Sequence, residues 1–123
     1  MTITTALDAR VRRPFKNGVT EILRQLEATI SARRTTSGDT SYVARLNAGG
    51  LPLMARKFGE EAVEAVVAAL AQDKEDLTAE AADVIFHLLV LLNAKGITLA
   101  NVEAELTRRE GVSGLDEKAG RSA

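Results

Sequence analysis

Apolar residues recur along this chain at helical spacing, and the polar residues between them divide it into segments. From Val19 to Arg33, Ile22, Leu23, Leu26 and Ile30 fall three or four apart, which predicts an amphipathic helix. Thr35-Thr36-Ser37-Gly38 reads as a loop, and Asp39 or Thr40 is placed to cap a short helix through Tyr42, Leu46 and Asn47 that Gly49-Gly50 ends. Pro52 suits the first turn of a longer helix from about Leu53 to Ala71. A polar connector, Gln72-Asp73-Lys74-Glu75-Asp76, separates it from a second long helix that extends to Lys95, where Gly96 stops it. Thr98 caps a last helix with Val102 and Leu106 on its inner face.

No segment shows a strand pattern, so the expected fold is all-α, a bundle of four to five helices. Its limits are residues 19–110, preceded by an arm of residues 1–18 expected to lack fixed structure and followed by a Gly-, Ser- and charge-rich tail, 111–123. Between Ala81 and Leu92 almost every position is apolar, so this helix needs cover from its own domain and from a second subunit.

Composition narrows the function classes. At 123 residues and 46% hydrophobic, the chain holds one small domain whose core dimerisation would enlarge. A net charge of −1 supplies no overall field for nucleic acid or an anionic membrane. The absence of Cys excludes disulfides and thiolate metal sites and suits a reducing cytoplasm. The run from Val84 to Leu92 is interrupted by His87 and flanked by Asp83 and Lys95, too short to span a bilayer. Arg10, Arg12, Arg13 and Lys16 make a basic start without the apolar core of a secretory signal.

Two acidic pairs carry the candidate chemistry. Glu61-Ala-Val-Glu64 and Glu80-Ala-Ala-Asp83 flank the connector, and residues three apart on a helix project from nearly the same side. Two such helices packed antiparallel converge four carboxylates. That clustering is unfavourable unless protons or cations compensate it, and hard oxygen donors favour Mg²⁺ or Mn²⁺ over zinc, which recruits His or Cys. Mg²⁺ held this way typically bridges carboxylates to phosphates. The competing reading is an ordinary solvated surface with i,i+4 ion pairs, Lys57 with Glu61 or Arg56 with Glu60. His87, one turn after Asp83, reads as a hydrogen-bonded core histidine or one supporting the ligands from behind.

Lys57-Phe58-Gly59-Glu60-Glu61-Ala62-Val63-Glu64, followed after a spacer by Glu80-Ala81-Ala82-Asp83-Val84-Ile85-Phe86-His87-Leu88-Leu89-Val90-Leu91-Leu92, resembles the phosphoribosyl-ATP pyrophosphatase family of histidine biosynthesis. That family belongs to the all-α, MazG-like nucleoside-triphosphate pyrophosphatases. Ser41-Tyr42, Leu46 with Gly50, and Ser113-Gly114-Leu115 with Glu117 to Arg121 extend the likeness over most of the chain. The resemblance implies hydrolysis of 1-(5-phospho-β-D-ribosyl)-ATP between its α and β phosphates, giving the AMP derivative and pyrophosphate, the second step of histidine synthesis. It implies Glu61, Glu64, Glu80 and Asp83 as Mg²⁺ ligands, with Mn²⁺ a possible substitute. Glu60 and Glu64 are the candidates for activating water, Lys57 for neutralising phosphate oxygens, and Arg33, Arg45, Lys118 and Arg121 for further anion contacts. It also implies a cytoplasmic homodimer with sites built at the interface. The length and the lack of Cys point to the stand-alone form, with the next step left to a separate cyclohydrolase.

Three other functions compete with this one. A pyrophosphatase that clears noncanonical nucleotides needs the same acidic site, whereas a non-catalytic dimerisation module needs only the apolar helix. A di-iron bundle requires Glu-x-x-His pairs, and the one histidine stands four residues after Asp83 instead.

Overall fold

The helical periodicity emerges as four helices in a computed structural model, which describes residues 19–36 and 41–110. They are α1 (Val19–Arg33), α2 (Tyr42–Ala71), α3 (Lys74–Ala94) and α4 (Leu99–Arg109), with no strand among the described residues. The expected arm and tail both lie wholly outside these residues. The dominant packing is α3 returning along α2, with α1 laid against α3. Ile30 of α1, Val43, Leu46 and Met54 of α2, and Leu89 and Val90 of α3 form the buried centre, flanked by Leu23, Leu26, Leu53, Phe86 and Leu92. Each fully buried side chain of this size stabilises by about 1.5–3 kcal/mol.

The short and long helices expected on either side of Gly49-Gly50 abut without a linker. Gly50 takes φ 87° and ψ 170°, a conformation open to glycine and strained for other residues, and Pro52 starts the second stretch two residues later. The cap of the short helix is Ser41, not Asp39 or Thr40, which lie outside the described residues. The Ser41 hydroxyl oxygen accepts from the Ala44 amide at 3.2 Å.

The expected five-residue connector shrinks to Gln72 and Asp73. Asp73 is itself the cap of α3, its carboxylate accepting from the Asp76 amide at 2.8 Å, so Lys74 to Asp76 are already helical. Glu75 and Asp76 in that first turn suit the positive end of the helix. At the other end, Gly96 at φ 73° turns the chain as expected, and the Ile97 amide donates back to the Leu92 carbonyl at 2.9 Å.

Thr98 caps α4 reciprocally with Asn101, the two bonds measuring 3.1 and 2.9 Å. The Glu27 carboxylate accepts from the Leu99 amide at 2.7 Å, and Arg24 pairs with Glu103 at 2.6 Å. Polar ties therefore dock α4 on α1. The expected inner face of α4 is not buried in the single chain, where Leu106 is 61% exposed.

With 21 residues, α3 is longer than the apolar run inside it, and by length and composition alone it suffices to cross a membrane. Glu80, Asp83 and a hydrogen-bonded His87 on the same helix, together with its packing on α1 and α2, make it a core helix instead. The single chain covers α3 incompletely, leaving Ile85 42% exposed. On α2, Val63, Val66, Val67 and Leu70 share one exposed face, with Leu70 at 84%.

Candidate metal centre

The link of two residues between α2 and α3 sets their acidic pairs side by side. One carboxylate oxygen from each of Glu61, Glu64 and Glu80 lies within 4.8 Å of the others. Asp83, a turn further along α3, is exposed and stands outside this trio, although its charge acts on Glu80. The structure thus brings together three of the four acids that the spacing singled out.

Glu80 is the electrostatic centre of the group. Its Oε1 is buried without a hydrogen-bond partner, an arrangement that costs free energy in a chain by itself. Loss of hydration, first of all, raises the pKa of its carboxyl above the ordinary 4.5; the Glu64 charge, a hydrogen bond with Glu64, and the charges of Asp83 and Glu61 add to this. A divalent cation would give Oε1 its missing partner and cancel the repulsion. The donors are all carboxylate oxygens, which suits Mg²⁺ or Mn²⁺ and does not suit zinc.

Beside the trio runs a groove of about 660 Å³ lined by Arg56, Gly59, Glu60, Val63 and Glu64. Glu60 faces two cations there, Oε1 at 3.3 Å from the Lys57 ammonium and Oε2 at 3.6 Å from Arg56. Of the two surface pairs that the sequence allowed, Arg56 with Glu60 forms, while Lys57 turns to Glu60 rather than Glu61. The hydrogen bond to Glu60 is the main cause that holds the Lys57 pKa above its ordinary value, followed by the potentials of Tyr42, Glu60 and Glu61.

His87 is buried, at 6% exposure, and both ring nitrogens are engaged. Nδ1–H donates to the Asp83 carbonyl at 2.8 Å, and a carbonyl only accepts, so the proton belongs on Nδ1. Nε2 then accepts from the Tyr42 hydroxyl at 3.0 Å. His87 is the hydrogen-bonded core histidine of the sequence reading, whereas Tyr42 had no function beyond a shared motif word. Its signal was faint: an aromatic bearing a hydroxyl in the first turn of a helix.

Arg33 ends α1 and Arg45 lies in the first stretch of α2; both side chains are exposed, and neither lines the groove. Lys118 and Arg121 fall outside the described residues. Arg56, seen in the sequence only as a surface ion-pair partner, does line the groove.

Residues 23–110 match the family described as phosphoribosyl-ATP pyrophosphohydrolase. A phosphoribosyl-ATP pyrophosphatase of Erythrobacter litoralis is 66% identical over 99 residues, covering 80% of this chain and 95% of its own. One from Novosphingobium aromaticivorans is 60% identical over 102 residues, with 83% and 95% covered, and one from Rhizorhabdus wittichii is 58% identical over 103, with 84% and 97% covered.

Proposed function

The chain belongs to the phosphoribosyl-ATP pyrophosphohydrolase family, and from that premise we propose that Glu61, Glu64, Glu80 and Asp83 hold the Mg²⁺ with which it hydrolyses 1-(5-phospho-β-D-ribosyl)-ATP. The products are the AMP derivative and pyrophosphate, and the reaction is the second step of histidine synthesis. The observation that carries the metal reading is the buried, unpartnered Oε1 of Glu80 among acids that repel it. Mn²⁺ substitutes on the same ligands, since both ions accept an all-oxygen shell.

A triphosphate repels an attacking hydroxide, so hydrolysis needs positive charge at the phosphates and a base near the water. When bound, Mg²⁺ supplies the charge and makes its water more acidic. The chain supplies the rest. Lys57 and Arg56, held at the groove by the two oxygens of Glu60, face the phosphate oxygens. Glu64 reaches both the trio and the groove and takes the proton from water, leaving Glu60 the task of holding the cations. Arg33 and Arg45, with Lys118 and Arg121 of the tail, make outlying anion contacts.

The enzyme works as a cytoplasmic homodimer. The exposed face of Val63, Val66, Val67 and Leu70 on α2, with Ile85 on α3, is the surface a second copy covers. A separate cyclohydrolase takes the product onward.

One assay tests the reading. Purified protein is incubated with phosphoribosyl-ATP, ATP or a noncanonical triphosphate, with and without Mg²⁺, and pyrophosphate is followed by phosphorus NMR. Release from phosphoribosyl-ATP alone, dependent on Mg²⁺, is the expected result. Broad cleavage would indicate a nucleotide-clearing enzyme, and no cleavage a binding module. In the same assay Glu61→Gln and Asp83→Asn each lose most turnover while keeping their helical circular dichroism. Near-normal turnover by either variant would remove that residue from the ligand set.

A further inference from the structure

A second hydrogen-bonded unit adjoins the acids without belonging to them. Tyr42 sits in the first turn of α2, on the stretch before the Gly50 break, and His87 sits on α3 one turn beyond Asp83. The two residues are 45 apart in sequence, so their 3.0 Å contact is a tertiary tie between the short stretch and α3. It leads directly to Asp83, because the other ring nitrogen of His87, Nδ1, donates to the Asp83 backbone carbonyl at 2.8 Å. The rings are seated as well. Phe86 stacks on Tyr42 at 6.0 Å between centroids and meets His87 edge-on at 5.1 Å.

A core that needed only volume here would take an apolar side chain instead of a buried imidazole with both nitrogens bonded. The polar pair fixes direction where apolar contact does not. It acts on the helical turn that bears Asp83, the acid standing just outside the trio.

We propose that Tyr42 is a positioning residue for the metal centre: through His87 it holds the Asp83 turn of α3 against α2, so that the carboxylates of the two helices stay in register. This rests on the metal reading above, but it assigns a task to residues outside the carboxylate trio and the groove lining.

Tyr42→Phe is the cleanest test, since it removes the hydroxyl and keeps the ring that stacks on Phe86. Mn²⁺ alone is titrated into wild type and variant, and free ion is read by electron paramagnetic resonance; the thermal midpoint and the Mg²⁺ half-saturation of turnover are measured in parallel. The expected result is an affinity for Mn²⁺ about 10-fold weaker in Tyr42→Phe, the low end of what loss of a ligand's hydrogen-bonded support does. The Mg²⁺ half-saturation should rise by a like factor. His87→Gln should weaken binding too, and the double variant should lose no more than the worse single one, because both remove the same tie. Nitrogen NMR of the single histidine gives an independent signature, with the proton on Nδ1 in wild type.

An unchanged Mn²⁺ affinity in Tyr42→Phe would overturn the inference, whether or not the midpoint falls, and so would a proton found on Nε2. If wild type itself failed to bind Mn²⁺, the metal reading would fall and this inference with it; intact wild-type binding with an indifferent variant sinks the inference alone.

Discussion

Glu80 and Glu105 are the same residue type in opposite circumstances. Glu105, on α4, has its carboxylate clasped by Arg108 at 2.6 and 3.0 Å and by Arg109 at 2.9 Å, all within one helical turn. Those bonds, Arg108 first, bring its pKa down to about 2. Glu80 has three acids for neighbours and one buried oxygen with no partner, and its pKa goes up. Local sequence explains the first completely, since arginines three and four residues on reach back along the helix. The second is unexplained until a cation is supplied. The acids left uncompensated, and not the acids as such, single out the candidate metal centre.

The largest effect that bears on this contrast should come from Glu80→Gln. Turnover of phosphoribosyl-ATP should fall at least about 100-fold, since a bound cation contributes several kcal/mol of charge stabilisation. The metal-free variant should melt no lower than wild type, because the change removes a repelled charge. A variant that melted well below wild type without metal would show that Glu80 is satisfied in the fold after all.

Next in size is the effect of the ion on stability. Adding Mg²⁺ at neutral pH should raise the wild-type melting temperature, by the equivalent of about 2.7 kcal/mol at a hundredfold excess over Kd. Glu80→Gln should lose most of this gain, as calorimetry can check.

Acid should separate the two glutamates more gently. Glu80 binds its proton more tightly folded than unfolded, so its charge costs stability at pH above the folded pKa, and that cost lifts as pH falls through it toward 4.5. Metal-free protein should therefore gain stability on mild acidification from neutral pH. Glu105 runs the other way, its contribution present above 4.5 and lost as pH falls toward about 2. A melting curve against pH without metal should rise before it falls, and Mg²⁺ should flatten the rise. Smallest of all, Glu105→Gln should leave turnover unchanged and lower the curve only slightly above pH 4.5, with the difference from wild type vanishing as pH falls toward about 2, since the pair is exposed and screened.

Much of the fold was legible because helical spacing and caps are local. The end of α2 at Ala71, the turn at Gly96 just beyond α3, the Thr98 cap and the all-α class follow from neighbours in sequence. The start of α3 departs from expectation because Lys74-Glu75-Asp76 is polar; polarity suggests a connector, whereas acids behind an Asp cap are what a helix start favours. Leu106 was assigned to an inner face that the single chain does not form. The meeting of Glu61, Glu64 and Glu80 was readable from two acidic pairs at one spacing. The separation of Asp83 from that trio was not, since it depends on rotamers and on how α3 is rolled. Nor was the tie between Tyr42 and His87, because nothing in the sequence says which residue the short stretch lays over α3.

Joining α2 to α3 through only Gln72 and Asp73 bears on how the chain assembles. The residues from Lys57 to His87 form a hairpin whose contacts are close in sequence, and closing so small a loop forfeits little chain freedom. Pulse-labelled hydrogen exchange during refolding should accordingly protect these amides among the first, before α4 docks.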